Sequence, residues 1–283
     1  MPGTGNPITV SIAKLEEVGG GRLVLADEKV AEQHFGLMVA AYENAFSGFD
    51  RNTLRSFPPN TTVFIAWDGE TMAGTTAVKV AYTLGELDDL LEVEIPVLKQ
   101  AMVRHAMQTL GDSPVRHLKA VSDALEAIVR RHLLDEMLHA AGMGNYLAIQ
   151  QQHEDGRLAR IELPMGVSAR AATAPSYRGI NKLLRLKVLE WAPLVDLAGL
   201  CGLNAVANGL PASLGKLGYT IVPIEAPLPR AIFPGDQAVN WLLADQYRAV
   251  RRLLAQDLRR RNARPAQWAL DTRHAITLLG GEV

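Results

Sequence analysis

The chain has 283 residues, of which 48% are hydrophobic and 21% charged, and its formal net charge is −1. These values are typical of a globular protein with a sizeable core, and the balanced charge excludes a strongly basic nucleic-acid-binding protein or an acidic tail. The single cysteine, Cys201, excludes an internal disulfide framework and is typical of a reducing compartment.

The first part of the chain predicts short strands and one helix. No signal-peptide pattern opens the sequence and no apolar run is long enough to span a bilayer, so we expect a cytoplasmic protein without a membrane span. Residues 8–15 and 22–26 flank a triple-glycine turn and predict strands. A helix is predicted from 26 to about 46, and 47–60 contains the Gly and Pro residues of a loop.

A hairpin and a long helical segment follow. Residues 61–67 and 72–82 are β-rich and are joined across Asp68-Gly69, a typical turn dipeptide. From 84 to 152 the apolar residues recur at helical spacing. One face there carries potential ligands at i, i+3, i+4 and i+7, namely His132, Asp135, Glu136 and His139. A metal site and a solvated polar face are both compatible with this spacing; we favour the polar face and expect no metal.

The stretch 173–184 organises the second half. Strand pieces at 157–163 and 167–173, interrupted by Pro164 and Gly166 in the manner of a bulge, lead into a polar turn and then a helix from 180 to about 192. A helix N-terminus has unpartnered N–H groups and attracts phosphate, and Arg178 adds a positive charge beside it. The sequence therefore predicts an anion site here, and a turn that binds nothing is the alternative.

The C-terminal part contains two more predicted strands, at 200–207 and 219–224, around a short helix at 211–217. A final helix is predicted at 236–262. Its arginines suit either an acidic partner or plain solvation at the negative end of the helix dipole, and solvation is favoured. No aromatic residues interleave with them, so we expect no nucleic-acid partner. The arginines of this region are Arg248, Arg251, Arg252, Arg259, Arg260, Arg261 and Arg264.

Two motifs in this order resemble the GCN5-related N-acetyltransferase (GNAT) superfamily. Residues 173–179 (TAPSYRG) are similar to the family's V-x-P-x-Y-R-G segment. Asn204, Asn208 and the Leu-Gly-Tyr at 217–219 are similar to its Asn-rich turn and L-G-F motif. The 61–82 hairpin resembles its second and third strands, with Gly74 where the family often has glycine, so the resemblance covers about 61–82 and 165–224.

The resemblance implies an α/β (α+β) fold, with a mixed, mostly antiparallel sheet flanked by helices and a helical insertion at 84–152 that covers or shapes the acceptor or acyl-chain pocket. It implies an N-acyltransferase whose acyl-CoA or acyl-phosphopantetheine donor lies between the fourth and fifth strands. A backbone N–H of strand 167–173 would polarise the thioester carbonyl. Donor-binding residues implied by the resemblance are Ala172, Thr173, Tyr177, Arg178, Gly179, Ile180, Asn181, Lys182 and Asn208.

The chain departs from the family pattern in three places. Asn181 and Leu183 stand where the pyrophosphate loop has small residues, Leu214 stands where a Tyr acts as general acid, and the 84–152 insertion replaces a short loop. These departures resemble the autoinducer synthases and N-acyl amino acid synthases, which often take the acyl group from acyl carrier protein. A diverged acyl-CoA-dependent member is the alternative.

The resemblance also implies candidate catalytic residues. Arg170 matches an Arg in the fourth strand of the synthase branch, although the Glu of that motif is missing, and Glu162 is a candidate general base or else a surface carboxylate. Cys201 is interpreted as a core thiol. The expected partners are a small-molecule amine, acyl carrier protein and a second copy in a homodimer. A GNAT-like module that binds or assembles without turnover is the alternative function.

Overall fold

The computed structural model describes residues 8–42, 51–99, 101–102, 105, 161–177, 179–224 and 235–262. The strands within them are β1 Thr9–Ile12, β2 Leu15–Val18, β3 Arg22–Leu25, β4 Thr61–Asp68, β5 Thr71–Ala81, β6 Met165–Thr173, β7 Gly199–Ala205, β8 Thr220–Ile224 and β9 Gln237–Leu243. The α-helices with defined bounds are α1 Glu28–Tyr42, α2 Leu84–Leu91, α3 Ile180–Trp191, α4 Leu210–Gly215 and α5 Tyr247–Asn262, and residues 95–99 and 101–102 are helical as well.

Seven of these strands form one twisted sheet in the order β1-β4-β5-β6-β7-β9-β8. Neighbours are antiparallel throughout, except that β6 and β7 run parallel. The remaining strands, β2 and β3, form a separate hairpin around the glycine turn. The predicted fold class, a mixed and mostly antiparallel sheet flanked by helices, is confirmed.

Helices cover both faces of the sheet because each has one apolar stripe. On α3 the buried residues recur at helical spacing, and with α5 they pack on side chains of β4 and β5 such as Phe64 and Val78. On the opposite face, α1 packs Met38 on Ala172, and α2 packs Leu87 and Leu91 among residues of β6, β7 and β9. None of the described helices is long and apolar enough to cross a bilayer.

Two glycines bring elements closer than any side chain permits. A Cβ on Gly74 of β5 would lie 2.6 Å from Ile180 Cγ2, so the first residue of α3 packs directly on that strand. A Cβ on Gly166 of β6 would lie 2.6 Å from Leu200 and 2.8 Å from Leu197. Gly166 therefore belongs to a continuous β6 beside β7. The expectation that Gly166 interrupts this strand is wrong.

The segment before β6 also differs from expectation. Residues 161–164 are not part of a strand, so Glu162 precedes β6 and does not lie on it. Pro164 has no backbone N–H and cannot donate to a ladder, which explains why the strand begins at Met165. The bulge predicted at Pro164 and Gly166 lies instead further along β6, where the pairing of β6 with β5 shifts between Thr76 and Ala77.

The helix predicted at 236–262 begins only at Tyr247. The first part of this range is β9, a strand with β7 on one side and β8 on the other. A strand buried on both faces resembles a nearly continuous apolar run, here AVNWLL with Asn240 as its one polar residue, and such a run has no period that distinguishes it from a helix.

We predict that Gly74→Ala lowers the free energy of unfolding by about 1–3 kcal/mol, because the added methyl group overlaps Ile180. Gly36→Ala is the matched control: Gly36 is exposed on α1 and no atom lies within 4 Å of its Cβ position. That control should gain about 0.5–1 kcal/mol from helix propensity. Urea denaturation measures both, and equal effects of the two substitutions would contradict the close packing of α3 on β5.

Candidate functional site

The parallel strands at the centre of the sheet separate from each other. β6 and β7 pair only at Met165–Gly199, Gly166–Leu200 and Val167–Cys201, although β6 continues to Thr173 and β7 to Ala205. Beyond Val167 the two strands diverge toward the N-terminus of α3. An open strand edge accepts a further extended chain through its backbone groups. The gap is therefore a candidate binding site in the middle of a sheet.

A β-bulge shapes the β6 side of the gap. Thr76 of β5 pairs with Ala171 and Ala77 pairs with Ala169, so Arg170 has no partner in β5. Arg170 adopts a left-handed conformation, with φ at 49°. The extra residue shifts the alternation of the strand, and as a result Ser168 and Ala171 both line the cavity on the α3 face of the gap.

That cavity is small: about 30 Å³ of it admits the centre of a water molecule, within about 450 Å³ of open space that includes solvent at its mouth. Its floor and walls combine apolar and polar groups from the sheet and from one stripe of α3. The polar residues that line it are Thr76, Ser168, Asn181, Arg185, Tyr219 and Asn240. The apolar ones are Ala171, Leu184, Val188, Leu200 and Cys201.

Polar side chains in the cavity contact one another. Arg185 donates a hydrogen bond to the hydroxyl of Tyr219, and burial raises the pKa of this tyrosine more than Arg185 lowers it. Asn204 donates through its amide to Asn240, which is 3% exposed, and also to the carbonyl of Gly202 at 3.4 Å. The cavity thus presents one permanent positive charge among neutral hydrogen-bonding groups.

The N-terminus of α3 lies at the open end of the gap. Gly179 caps it at φ 94°, a conformation in which a side chain would be strained. One N–H group of the first turn already has a partner within the chain, because the Lys182 N–H donates to the Gly179 carbonyl at 3.0 Å. The Tyr177 hydroxyl donates to Asp68 at 2.8 Å, and Lys182 Nζ lies 2.6 Å from Asp257. These two predicted phosphate contacts therefore have carboxylate partners within the chain.

The other predicted donor contacts are distributed around the gap. Ala172 is buried beneath α1, and Thr173 ends β6 beside Gly74. Ile180 is fully buried, whereas Asn181 is exposed and lines the cavity. Asn208 ends the 3-10 turn that follows β7. Arg178, the His132–His139 group and most of the insertion lie outside the described residues.

A cluster of buried titratable groups lies on the opposite face, beneath α1. Arg170 donates to the Ser56 carbonyl at 2.7 Å, and its guanidinium lies 5.5 Å from the ring centre of Phe57. Burial, then the charge of Arg170, lower the pKa of Lys79 and also lower that of His34, to about 4. The phenolic oxygen of Tyr42 accepts a hydrogen bond from the N–H of Ala171. The bulge thus links this cluster to the gap.

Several of these residues were missed by sequence reasoning, although weak signals existed. Arg185 follows Asn181 by one helical turn and so shares its face, and Lys79 interrupts an apolar strand. Tyr219 was read only as part of a motif. The prediction that Cys201 is a core thiol is confirmed, because it is completely buried and burial raises its pKa.

No protein-family model matches the chain, and no curated protein matches it. It is similar in structure to FeeM, an N-acyl amino acid synthase from uncultured soil microbes (12% identity, TM-score 0.44, covering 88% of this chain and 98% of that one). It is also similar to an N-acetyltransferase from Staphylococcus aureus Mu50 (10% identity, TM-score 0.43, 84% and 99%). A third similar structure is the acyl-homoserine lactone synthase LasI (11% identity, TM-score 0.43, 84% and 90%).

These similar structures include both an acetyltransferase and synthases, the two groups named in the resemblance drawn from the sequence motifs. At such identities and TM-scores the similarities do not identify the chain.

We predict that His34 makes the stability of the protein fall with acid. The unfolded chain binds a proton on His34 below about pH 6.5, whereas the folded chain does not until about pH 4, so the folded state loses stability as the pH decreases between these values. The loss attributable to His34 is about 3 kcal/mol. Urea denaturation of wild type and His34→Met at pH 7 and pH 4.5 measures it, and parallel pH dependences of the two proteins would contradict it.

Proposed function

We propose that the protein is an N-acyltransferase that moves an acyl group from an acyl-thioester donor to an amine. The observation that carries this proposal is the separation of β6 from β7 after three residue pairs, with a glycine-capped helix N-terminus at its open end. A pantetheine arm is a thin, extended chain with two amide groups and a phosphate at one end. Its amides suit the open strand edges, and its phosphate suits the helix N-terminus.

The two faces of the gap provide for two substrates. An arm that enters beside Gly179 extends toward the last strand pair, Val167–Cys201, and there its thioester lies between the two faces of the sheet. The cavity opens on the α3 face, and the cluster around Arg170 lies on the α1 face. We therefore assign the α3 face to the acyl group and the α1 face to the amine acceptor.

The reaction needs positioning and the removal of one proton. The amine nitrogen attacks the thioester carbonyl carbon, the C–N bond forms, the C–S bond breaks, and the thiol leaves with a proton that originates from the amine. Holding both reactants in this geometry supplies most of the acceleration. Glu162 stays a candidate base, at the start of the segment that leads into β6.

Arg170 receives a positioning role in this proposal and not the catalytic role implied by the resemblance. Its guanidinium is held by the Ser56 carbonyl and lies beside the Phe57 ring. These contacts fix the bulge to the segment before β4. The Ala171 N–H donates to the phenolic oxygen of Tyr42. This N–H can therefore polarise the thioester carbonyl only when Tyr42 moves away or when both oxygens accept from it.

The N-terminus of α3 also favours one class of acyl donor. Asn181 is exposed in the first turn of α3, where glycine would permit a close approach of a pyrophosphate. Lys182 is paired with Asp257. A site with these features suits the single phosphate of a carrier-bound phosphopantetheine arm better than the diphosphate of CoA. A GNAT-like binding module without turnover is the alternative.

We predict that Ala171→Trp abolishes donor binding, because a large side chain at this exposed position fills the gap without entering the core. Ala249→Trp is the matched control, since Ala249 is exposed on α5 and does not line the cavity. The measurement is thermal stabilisation by CoA, by acyl-CoA and by acylated carrier protein.

Wild type and the Ala249→Trp control should be stabilised by at least one of these donors, and Ala171→Trp by none. Stabilisation by carrier protein but not by CoA would support the single-phosphate site. If no donor stabilises the wild-type protein, the acyltransferase proposal is wrong. If a donor stabilises it but releases no thiol in the presence of a panel of amines, the non-catalytic module is favoured.

A further inference from the structure

We propose that the acyl group transferred by this site carries a carboxylate, so that the donor is the monothioester of a short dicarboxylic acid. This inference rests on the proposed function and specifies the substrate class of its acyl pocket. The residues that carry it are Arg185, Tyr219 and Asn240, which line the cavity on the α3 face of the gap.

Arg185 has no carboxylate partner among the residues that the structure describes. Among the described residues no acidic side chain lies within salt-bridge distance of it, whereas Lys182 and Lys187 on the same helix pair with Asp257 and Glu190. Its contact is the neutral hydroxyl of Tyr219. A guanidinium that faces a cavity with donors still available is suited to bidentate binding of a carboxylate.

The neighbouring groups supply further hydrogen bonds. Asn240 is buried within the sheet and accepts from Asn204, and Ser168 and Thr76 place hydroxyl groups on the floor. A purely hydrocarbon acyl chain entering here would displace water from the remaining donors of Arg185 and replace none of those hydrogen bonds, which is costly. A carboxylate accepts hydrogen bonds from these donors. Its attraction to the charge of Arg185 offsets the free energy needed to remove the carboxylate from water.

The position of Arg185 separates this anion site from the phosphate site. Arg185 lies six residues after the cap Gly179, which is about 9 Å along the helix axis at about 1.5 Å per residue. A phosphate bound at the N-terminus is therefore held by the first turn of α3, and Arg185 remains available to the other end of the donor. Leu184, Val188 and Leu200 line the same small cavity, which suits a short acyl group.

Binding of matched thioesters tests the inference without knowledge of the acceptor. Succinyl and butyryl groups have the same number of carbons and differ by a terminal carboxylate. We expect wild type to bind the succinyl thioester of CoA or phosphopantetheine about tenfold or more tightly than the butyryl thioester, measured by calorimetry. Arg185→Gln should remove this preference by weakening succinyl binding about tenfold or more. Arg185→Lys should keep part of it, and Arg248→Gln, an exposed arginine on α5, should keep all of it.

Each outcome decides between the two proposals. If butyryl binds as tightly as succinyl, or a longer alkanoyl thioester binds more tightly, the carboxylate inference is wrong while the donor site stands. If no thioester binds to wild type, acylated carrier protein included, the proposed function itself fails. The comparison within wild type does not depend on any variant. Far-UV circular dichroism shows whether each variant is folded, and a succinyl preference that survives in folded Arg185→Gln would overturn the role given to Arg185.

Discussion

The separation of β6 from β7 is the constraint on which the site depends. Parallel neighbours normally continue their hydrogen bonds to the strand ends, and an open edge inside a sheet leaves polar backbone groups that need partners. Here Arg170 adds a residue to β6 and bends it, and the guanidinium secures that bend through the Ser56 carbonyl. The gap is thus held open from one side by a bulge, and not by a large side chain placed between the strands.

The bulge also divides the polar chemistry between the two faces of the sheet. It places Ser168 and Ala171 together on the α3 face, and it turns Arg170 toward α1. On the α1 face burial lowers the pKa of Arg170, Lys79 and His34, and the charge of Arg170 lowers the pKa of Lys79 and of His34 further. On the α3 face Arg185 contacts a neutral partner. Electrostatics therefore favour anionic or neutral groups on both sides of the gap.

Much of the sheet could be predicted because its signals are local. The 61–82 hairpin has alternating β-rich runs and an Asp-Gly turn, and α3 follows a clear turn and ends before Pro193. β9 could not be recognised, since a strand buried on both faces and a buried helix share the same apolar composition. The bulge at Arg170 was also beyond sequence reasoning, because its register is set by pairing with β5.

The site residues show the same division between local and non-local information. The helix N-terminus at Gly179 follows from a short motif, whereas the contact between Arg185 and Tyr219 joins α3 to the residue before β8 and exists only once the sheet order is fixed. Lys182 illustrates the converse. It stands in the expected place for a phosphate ligand, yet α5 brings Asp257 to its ammonium group. A motif therefore supplies the backbone of an anion site, while the tertiary packing of α5 and β8 decides which cations remain available to a ligand.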